Sequence, residues 1–120
     1  MLITFIILLF FHFLADYPLQ GDFLAKAKNK YNPIPGIPWR HAMFAHCFIH
    51  GFFVFLMTGM FTFLIGEIII HWITDQLKCK GVIDYSSDQL IHIATKMIWA
   101  YLSVSIPVAS LITQTSLLQV

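Results

Sequence analysis

Charged side chains are scarce in this chain of 120 residues. They make up 11% of the residues, and hydrophobic residues make up 58%, whereas an ordinary soluble domain carries about 25% charged residues. So few charges cannot cover a water-facing surface of this size, and a formal net charge of +1 leaves no basic patch for nucleic acid. The composition argues against a soluble globular domain, a disordered segment, a coiled coil and a nucleic-acid binder. It predicts one integral membrane domain over residues 1–120.

Cysteine is rare as well. Cys47 and Cys79 form no C-x-x-C motif, so neither a disulfide framework nor a zinc knuckle is indicated, and we expect two free thiols. No basic residue precedes Lys26. The apolar start therefore lacks the basic region of a signal peptide, and we interpret it as a retained helix.

Long apolar runs predict an all-α membrane fold with four transmembrane helices in a compact bundle. The first span covers residues 2–17 and is stopped by Pro18, which lacks an N–H. As one helix, residues 39–75 would measure about 55 Å, which exceeds the hydrocarbon core of about 30 Å. We expect a turn at Thr58-Gly59 that creates spans 39–57 and 60–75; a single helix kinked at the glycine is the alternative. The fourth span covers residues 88–112.

Proline and lysine are concentrated after the first span. Prolines at positions 33, 35 and 38 forbid a regular helix there, while residues 22–31 suit a short interfacial helix. Six of the seven basic residues lie on one side of the bundle, five of them in the first and third loops and Arg40 where the first loop joins the second span. The positive-inside rule places these loops in the cytoplasm and both termini outside. Lys96 lies within the fourth span, where we expect it to snorkel.

At the start of the fourth span, Ser86 or Ser87 is the expected helix cap, and Pro107 is expected to kink the helix late in its course.

The spans carry ionisable pairs at a spacing of four residues. The pairs are His12 with Asp16, His46 with His50, His71 with Asp75, and Asp88 with His92. This spacing puts both members on one helix face, and alternating helix directions bring all four pairs to one level near the cytoplasmic interface. Five imidazoles and three carboxylates at one depth are typical of a metal site built between facing helices.

We predict that one or two divalent ions bind here, with Zn²⁺ the first choice and Fe²⁺ or Mn²⁺ the alternatives. The predicted metal ligands are His12, Asp16, His46, His50, His71, Asp75 and His92. The predicted catalytic carboxylates are Asp88 and Asp75, and Asp88 is preferred because water can reach the start of a helix. Polar packing without metal is the alternative reading of the cluster.

Four polar residues lie at the margin of this pattern. His41 is expected at the interface, outside the site. Glu67 lies deeper and is either a protonated packing residue or a proton relay. Gln20 and Gln89 either bond to ligands or face solvent.

Four segments, read in order, resemble a known family. They are HFLADYPLQ at 12–20, HCFIHG at 46–51, HWITD at 71–75 and DQLIH at 88–92. Together they resemble a family of small bacterial and phage membrane proteins of unknown function whose members open with H-x-L-A-D-x-x-L-Q. The resemblance implies a bacterial inner membrane. A more distant likeness to membrane-bound metal-dependent hydrolases implies hydrolysis, by analogy.

Three functions fit these observations. The first is a membrane-embedded metal-dependent hydrolase that cleaves an ester, amide or phosphoester in an amphiphilic substrate near the cytoplasmic interface; an oxygenase-like or desaturase-like reaction is a variant. The second is a metal ion carrier that uses the same ligands transiently. The third is a small membrane interaction protein in which the His/Asp cluster is structural. Membrane lipid is a partner in each case, and a homo-oligomer is an open alternative.

Overall fold

The computed structural model describes residues 1–106, which form five α-helices and no strand. The helices are α1 (Leu2–Asp16), α2 (Gly21–Ala27), α3 (Trp39–Thr58), α4 (Phe61–Lys80) and α5 (Tyr85–Ser105). The predicted all-α fold is confirmed for this part of the chain.

α1 ends one residue before its predicted boundary, just ahead of Pro18. The chain turns through Gly21, whose φ of +58° is a left-handed conformation that glycine adopts at no steric cost. α2 then departs at 82° to α1. It is shorter than the predicted helix over residues 22–31, because Asn29 accepts bonds from the N–H groups of Tyr31 and Asn32 and folds the backbone into a turn.

α3 and α4 form the predicted helical hairpin, so the alternative of one long helix is wrong. Gly59 ends α3 with φ +69°. The two helices are so close at Gly51 that an added Cβ would lie 2.8 Å from the backbone oxygen of Leu64. α4 runs on to Lys80, beyond the predicted end at residue 75, until Gly81 caps it in the left-handed conformation.

α5 begins at Tyr85, earlier than predicted. The cap is Asp84, and not Ser86 or Ser87; its carboxylate accepts a bond from the Ser87 N–H at 2.7 Å. The helix ends at Ser105, and Ile106 is extended, as the residue before a proline tends to be. The predicted kink at Pro107 and the predicted end at 112 lie outside the described residues.

Within residues 1–106, many polar residues lie inside the bundle and many apolar residues lie on its surface, which is the reverse of a water-soluble domain. Twelve polar or charged residues are buried, against eleven hydrophobic ones. The outer faces of two helices are apolar stripes of residues spaced by four, each residue being 41–64% exposed. The stripes are Phe44, Phe48, Phe52 and Leu56 on α3, and Phe61, Ile65, Ile69 and Ile73 on α4. Exposed apolar surface of this extent marks contact with a membrane or with another protein.

An apolar layer lies next to the polar one. Leu8 is one turn before His12 on α1, and Val54 is one turn after His50 on α3. Both belong to the buried apolar cluster that includes Phe63 and Trp99. The bundle thus has one polar and one apolar end to its core.

By length and composition, a single helix of residues 1–106 qualifies alone as a membrane span, namely α3. α1 and α2 pass the same test only when taken together, as a bent pair. The four-span arrangement is therefore not confirmed and remains a prediction.

Candidate metal centre

The four predicted pairs meet in one cluster between α1, α3, α4 and α5. The histidines of the pairs are at most 1% exposed, and their Nε2 atoms face one another and the neighbouring carboxylates. The cluster consists of His12, Asp16, His46, His50, His71, Asp75, Asp88 and His92. The sequence spacing thus placed all eight side chains correctly, whereas their binding of a metal remains a prediction.

The first set of candidate ligands surrounds Asp16. Its Oδ1 atom lies 2.9 Å from Nε2 of His50, 3.3 Å from Nε2 of His46 and 4.0 Å from Nε2 of His71. The Nε2 atoms of His46 and His71 are 3.1 Å apart. One carboxylate from α1, two imidazoles from α3 and one from α4 therefore converge on a single point.

These separations suit a small tetrahedral ion. Zn²⁺ holds nitrogen and oxygen ligands at roughly 2.0–2.1 Å, so that neighbouring ligand atoms are about 3.3 Å apart. The four separations given above range from 2.9 to 4.0 Å and therefore bracket that value. We call these residues, Asp16, His46, His50 and His71, the Asp16 group.

A second set of candidate ligands comprises His71, Asp75 and His92. Oδ1 of Asp75 lies 3.4 Å from Nε2 of His92 and 3.8 Å from Nε2 of His71. We call this set the Asp75 group. The two groups share His71, and because its Nδ1 atom faces Glu67 at 3.3 Å, the Nε2 atom is the one available to either of them.

Two lysines neutralise the Asp75 group. Lys28, just past the end of α2, is 2% exposed and donates to Oδ2 of Asp75. Lys78 lies 3.5 Å from Oδ1 of Asp75 and donates to Asp88 at 2.9 Å. Asp16 has no lysine partner within residues 1–106. Its negative charge is therefore the one that a bound cation would offset.

Lys96 does not snorkel, contrary to prediction. It is 1% exposed and donates to Glu67 Oε1 at 2.5 Å, while the indole N–H of Trp99 donates to Oε2 at 2.7 Å. The charge of Lys96 is satisfied inside the bundle, so nothing draws it to the surface. Through Oε1, Glu67 also faces Nδ1 of His71 and fixes the orientation of that ring, as carboxylates beside metal-bound histidines do.

Gln89 links two members of the cluster. Its amide donates to Oδ2 of Asp16 at 2.9 Å, and its oxygen lies 3.2 Å from Nε2 of His12. His12 belongs to neither candidate ligand group; its Nε2 atom is 3.5 Å from Oδ2 of Asp16. Gln20 bonds to the backbone oxygen of Asp16. His12 and both glutamines thus hold Asp16 in place.

The expectation that water reaches Asp88 is wrong. Its side chain is 0% exposed, and Lys78 and Gln89 both donate to Oδ2. Asp75, the other predicted catalytic carboxylate, is 1% exposed. Burial removes both from contact with solvent, although their catalytic role is untested.

Asp16 is the carboxylate of the cluster that reaches the surface. It lies at the edge of a cleft of about 280 Å³ that also involves Tyr17, Gln20, Gly21, Asp22, Ala25 and Tyr85. The hydroxyl groups of Tyr17 and Tyr85 contact each other across this cleft. The cleft thus joins the Asp16 group to the exterior.

The structure also locates the other residues that the sequence analysis named. His41 is exposed and stands outside the cluster, as expected. Cys47 and Cys79 are both free, which confirms that prediction. Sequence reasoning missed the parts played by Lys28 and Lys78, because it placed both lysines in loops and counted them only toward topology.

No curated protein and no solved structure matches the chain. The distant likeness to metal-dependent hydrolases therefore stays a prediction. A family model described as "Protein of unknown function (DUF3307)" matches residues 4–119. Since that match covers nearly the whole sequence, the chain belongs to the DUF3307 family.

Proposed function

We propose that the chain is an integral membrane protein that binds one divalent ion at the Asp16 group and uses it to hydrolyse an amphiphilic substrate. The membrane placement is supported by the apolar stripes on α3 and α4, which would be unfavourable in water and favourable in lipid. The proposed topology has four spans in the bacterial inner membrane, with the basic loops in the cytoplasm.

The observation that carries the proposal is the convergence on Oδ1 of Asp16. Three Nε2 atoms lie within 4.0 Å of this atom, in a carboxylate–imidazole set that suits Zn²⁺, with Fe²⁺ or Mn²⁺ as alternatives. Asp16 is also the cluster carboxylate without a lysine partner in residues 1–106. A single divalent ion fits this charge better than two ions, since lysines already balance the other carboxylates.

The proposed chemistry follows from which side of the group faces the cleft. His46, His50 and His71 would hold the ion, and Asp16 would act beside it and not as a fourth ligand; a metal bound there would lower the pKa of water entering from the cleft toward about 7. Asp16 lies on that side and would accept the proton from this water. Asp75 and Asp88, favoured from the sequence as catalytic residues, are engaged by Lys28 and Lys78, and in this proposal they support the cluster.

The charge of the residues that line the cleft restricts which substrates can enter it. Its lining includes the carboxylates of Asp16 and Asp22 and no lysine, arginine or histidine. A phosphate or carboxylate would be repelled there, whereas a neutral or cationic polar group would be accepted. Among the three bond types considered from the sequence, the cleft favours an ester or amide of an amphiphile over a phosphoester.

The test combines metal content with turnover. Detergent-purified protein, loaded with Zn²⁺ and desalted, is expected to retain one ion per chain by elemental analysis and to cleave a long-chain nitrophenyl ester or anilide in mixed micelles. His46→Ala should lose both the ion and the activity. His41→Ala, which removes an exposed imidazole, should lose neither. Protein that retains no ion without chelators present would refute the proposal.

A structural role is the second candidate, and one observation favours it. Lysines pair with all three buried carboxylates of residues 1–106, namely Asp75, Asp88 and Glu67, so the polar layer is largely neutral without metal. In that case His46→Ala would weaken the fold, and metal content would be nil throughout. A metal carrier is less favoured, because the ionisable groups gather in one layer and do not line a path across the bundle.

A further inference from the structure

Lys28 is a cation that the proposed metal chemistry leaves unused, and it is buried at the cluster. It follows the last residue of α2, the short helix that turns away from α1, yet its side chain is 2% exposed and its ammonium group bonds to Asp75. Burying a lysine costs free energy unless a specific partner repays it. The partner here is a carboxylate of the second candidate ligand group.

The two ligand groups compete for His71. Its Nε2 atom is 4.0 Å from Oδ1 of Asp16 and 3.8 Å from Oδ1 of Asp75, and a ring nitrogen coordinates one ion at a time. Geometry alone therefore does not decide which group receives the metal. Charge decides, because Asp75 already has two ammonium groups beside it and Asp16 has none in residues 1–106.

We propose that Lys28 is a built-in counter-cation that closes the Asp75 group to metal and directs the ion to the Asp16 group beside the cleft. This inference rests on the proposed metal site and adds to it the residue that selects the metal position. A lysine is suited to this task, since it occupies the place of a cation and has no lone pair to offer while protonated.

The experiment measures whether removing Lys28 opens the second group. The background is the double variant His46→Ala/His50→Ala, which leaves Asp16 and His71 alone in the first group and the Asp75 group intact. This background is expected to retain no Zn²⁺ after loading and desalting. Adding Lys28→Met is expected to restore one ion per chain, and adding Asp75→Asn to that triple variant should abolish it again.

Matched variants separate charge from structure. Lys26→Met removes an exposed lysine of α2, two residues before Lys28, and should restore nothing in the background. Lys28→Arg keeps a cation near Asp75 and should also restore nothing. Lys28→Gln removes the charge but can still hydrogen-bond to Asp75; it should behave like Lys28→Met and takes its place if the methionine variant does not fold.

The outcomes distinguish this inference from the function on which it rests. If the wild type binds one ion and the background with Lys28→Met or Lys28→Gln stays metal-free while folded by circular dichroism, Lys28 does not select the site and the inference fails alone. A wild type that binds two ions also overturns it, although the metal site stands. A wild type without any ion overturns both.

Discussion

The imidazole rings of His50 and His71 stack with their centroids 3.8 Å apart and their planes inclined by 27°. A second stack, between His71 and His92, has a centroid separation of 4.0 Å. Rings this close cannot all carry a positive charge without strong mutual repulsion. The arrangement therefore favours neutral imidazoles, which is the form that binds a metal.

His71 is the one histidine common to both ligand groups. We expect His71→Ala to abolish metal retention and hydrolysis. His12→Ala should keep one ion per chain, but with an affinity lowered about 10–100-fold, because His12 positions Asp16 and is not a member of either group. Equilibrium titration with a competing chelator measures both effects. Complete metal loss in His12→Ala would instead support the larger ligand set predicted from the sequence.

The buried pair of Glu67 and Lys96 provides a test of stability. Lys96→Met leaves a carboxylate without its cation and should lower the free energy of unfolding by about 3–5 kcal/mol. In the double variant Lys96→Met/Glu67→Gln most of that loss should be recovered, because the amide still accepts from Trp99. Denaturant unfolding in detergent, followed by tryptophan fluorescence, gives these values. Lys80→Met, at an exposed lysine, is the control; an equal loss there would contradict the assignment.

Gly51 sets the spacing of the α3–α4 hairpin. Gly51→Ala should destabilise the protein by about 1–3 kcal/mol, because the new methyl group would meet the backbone oxygen of Leu64. Gly66→Ala is the matched case: its Cβ would lie 2.8 Å from the ring of Trp99, which is a side-chain contact and not a backbone one. The loss at Gly66 should be smaller. Thermal melts of both variants in the same detergent compare them, and the reverse order would argue against this packing.

The proposed topology predicts which residues face each side of the membrane. In intact cells, and with Cys47 and Cys79 both replaced by alanine, a membrane-impermeant maleimide should label Leu2→Cys and leave Ile37→Cys unlabelled, since the Pro-rich loop is cytoplasmic in the four-span arrangement. Inverted vesicles should show the opposite pattern. Labelling of Ile37→Cys from outside would overturn the orientation, and release of the protein by alkaline carbonate would overturn its integration in the membrane.

The cap of α5 predicts a pH dependence. The bonds from Ser87 lower the pKa of Asp84 below its ordinary value of 3.8. A depressed folded pKa stabilises the fold above that ordinary value, and the contribution disappears as the pH falls through the folded pKa. Asp84→Ala should therefore melt at a lower temperature than wild type at pH 7, with the difference shrinking below pH 3.8. Asp84→Asn, which keeps a capping oxygen, should lose less, and a constant difference across pH would contradict this account.

The positions of the site residues could be predicted from sequence because they depend on helical periodicity. The pairs His46/His50 and His71/Asp75 need only a spacing of four residues and a turn between the helices, both of which are local features. The helix ends were less predictable. α4 runs past residue 75 because Lys78 and other good helix formers continue the helix after the apolar run stops.

The ion pairs could not be predicted in the same way. Lys28 and Asp75 are 47 positions apart, and their contact depends on the 82° bend at Gly21 that folds α2 back onto the bundle. Lys96 and Glu67 lie on different helices, and sequence alone does not show that both face inward. Each long-range contact of this kind requires the packing of at least two helices to be known first.

The acidic residues of α4 affect how the proposed membrane protein would be inserted into the bilayer during its synthesis. An acidic residue costs about 2.5–3.5 kcal/mol at the centre of a lone helix leaving the translocon, and α4 carries both Glu67 and Asp75, so α4 is less suited than α3 to insert by itself. The tight turn at Gly59 lets α3, the most apolar helix of sufficient length, enter the bilayer together with α4 as one hairpin. We expect the acidic groups of α4 to be shielded by α3 during synthesis, and Glu67 to meet Lys96 only when α5 emerges from the ribosome.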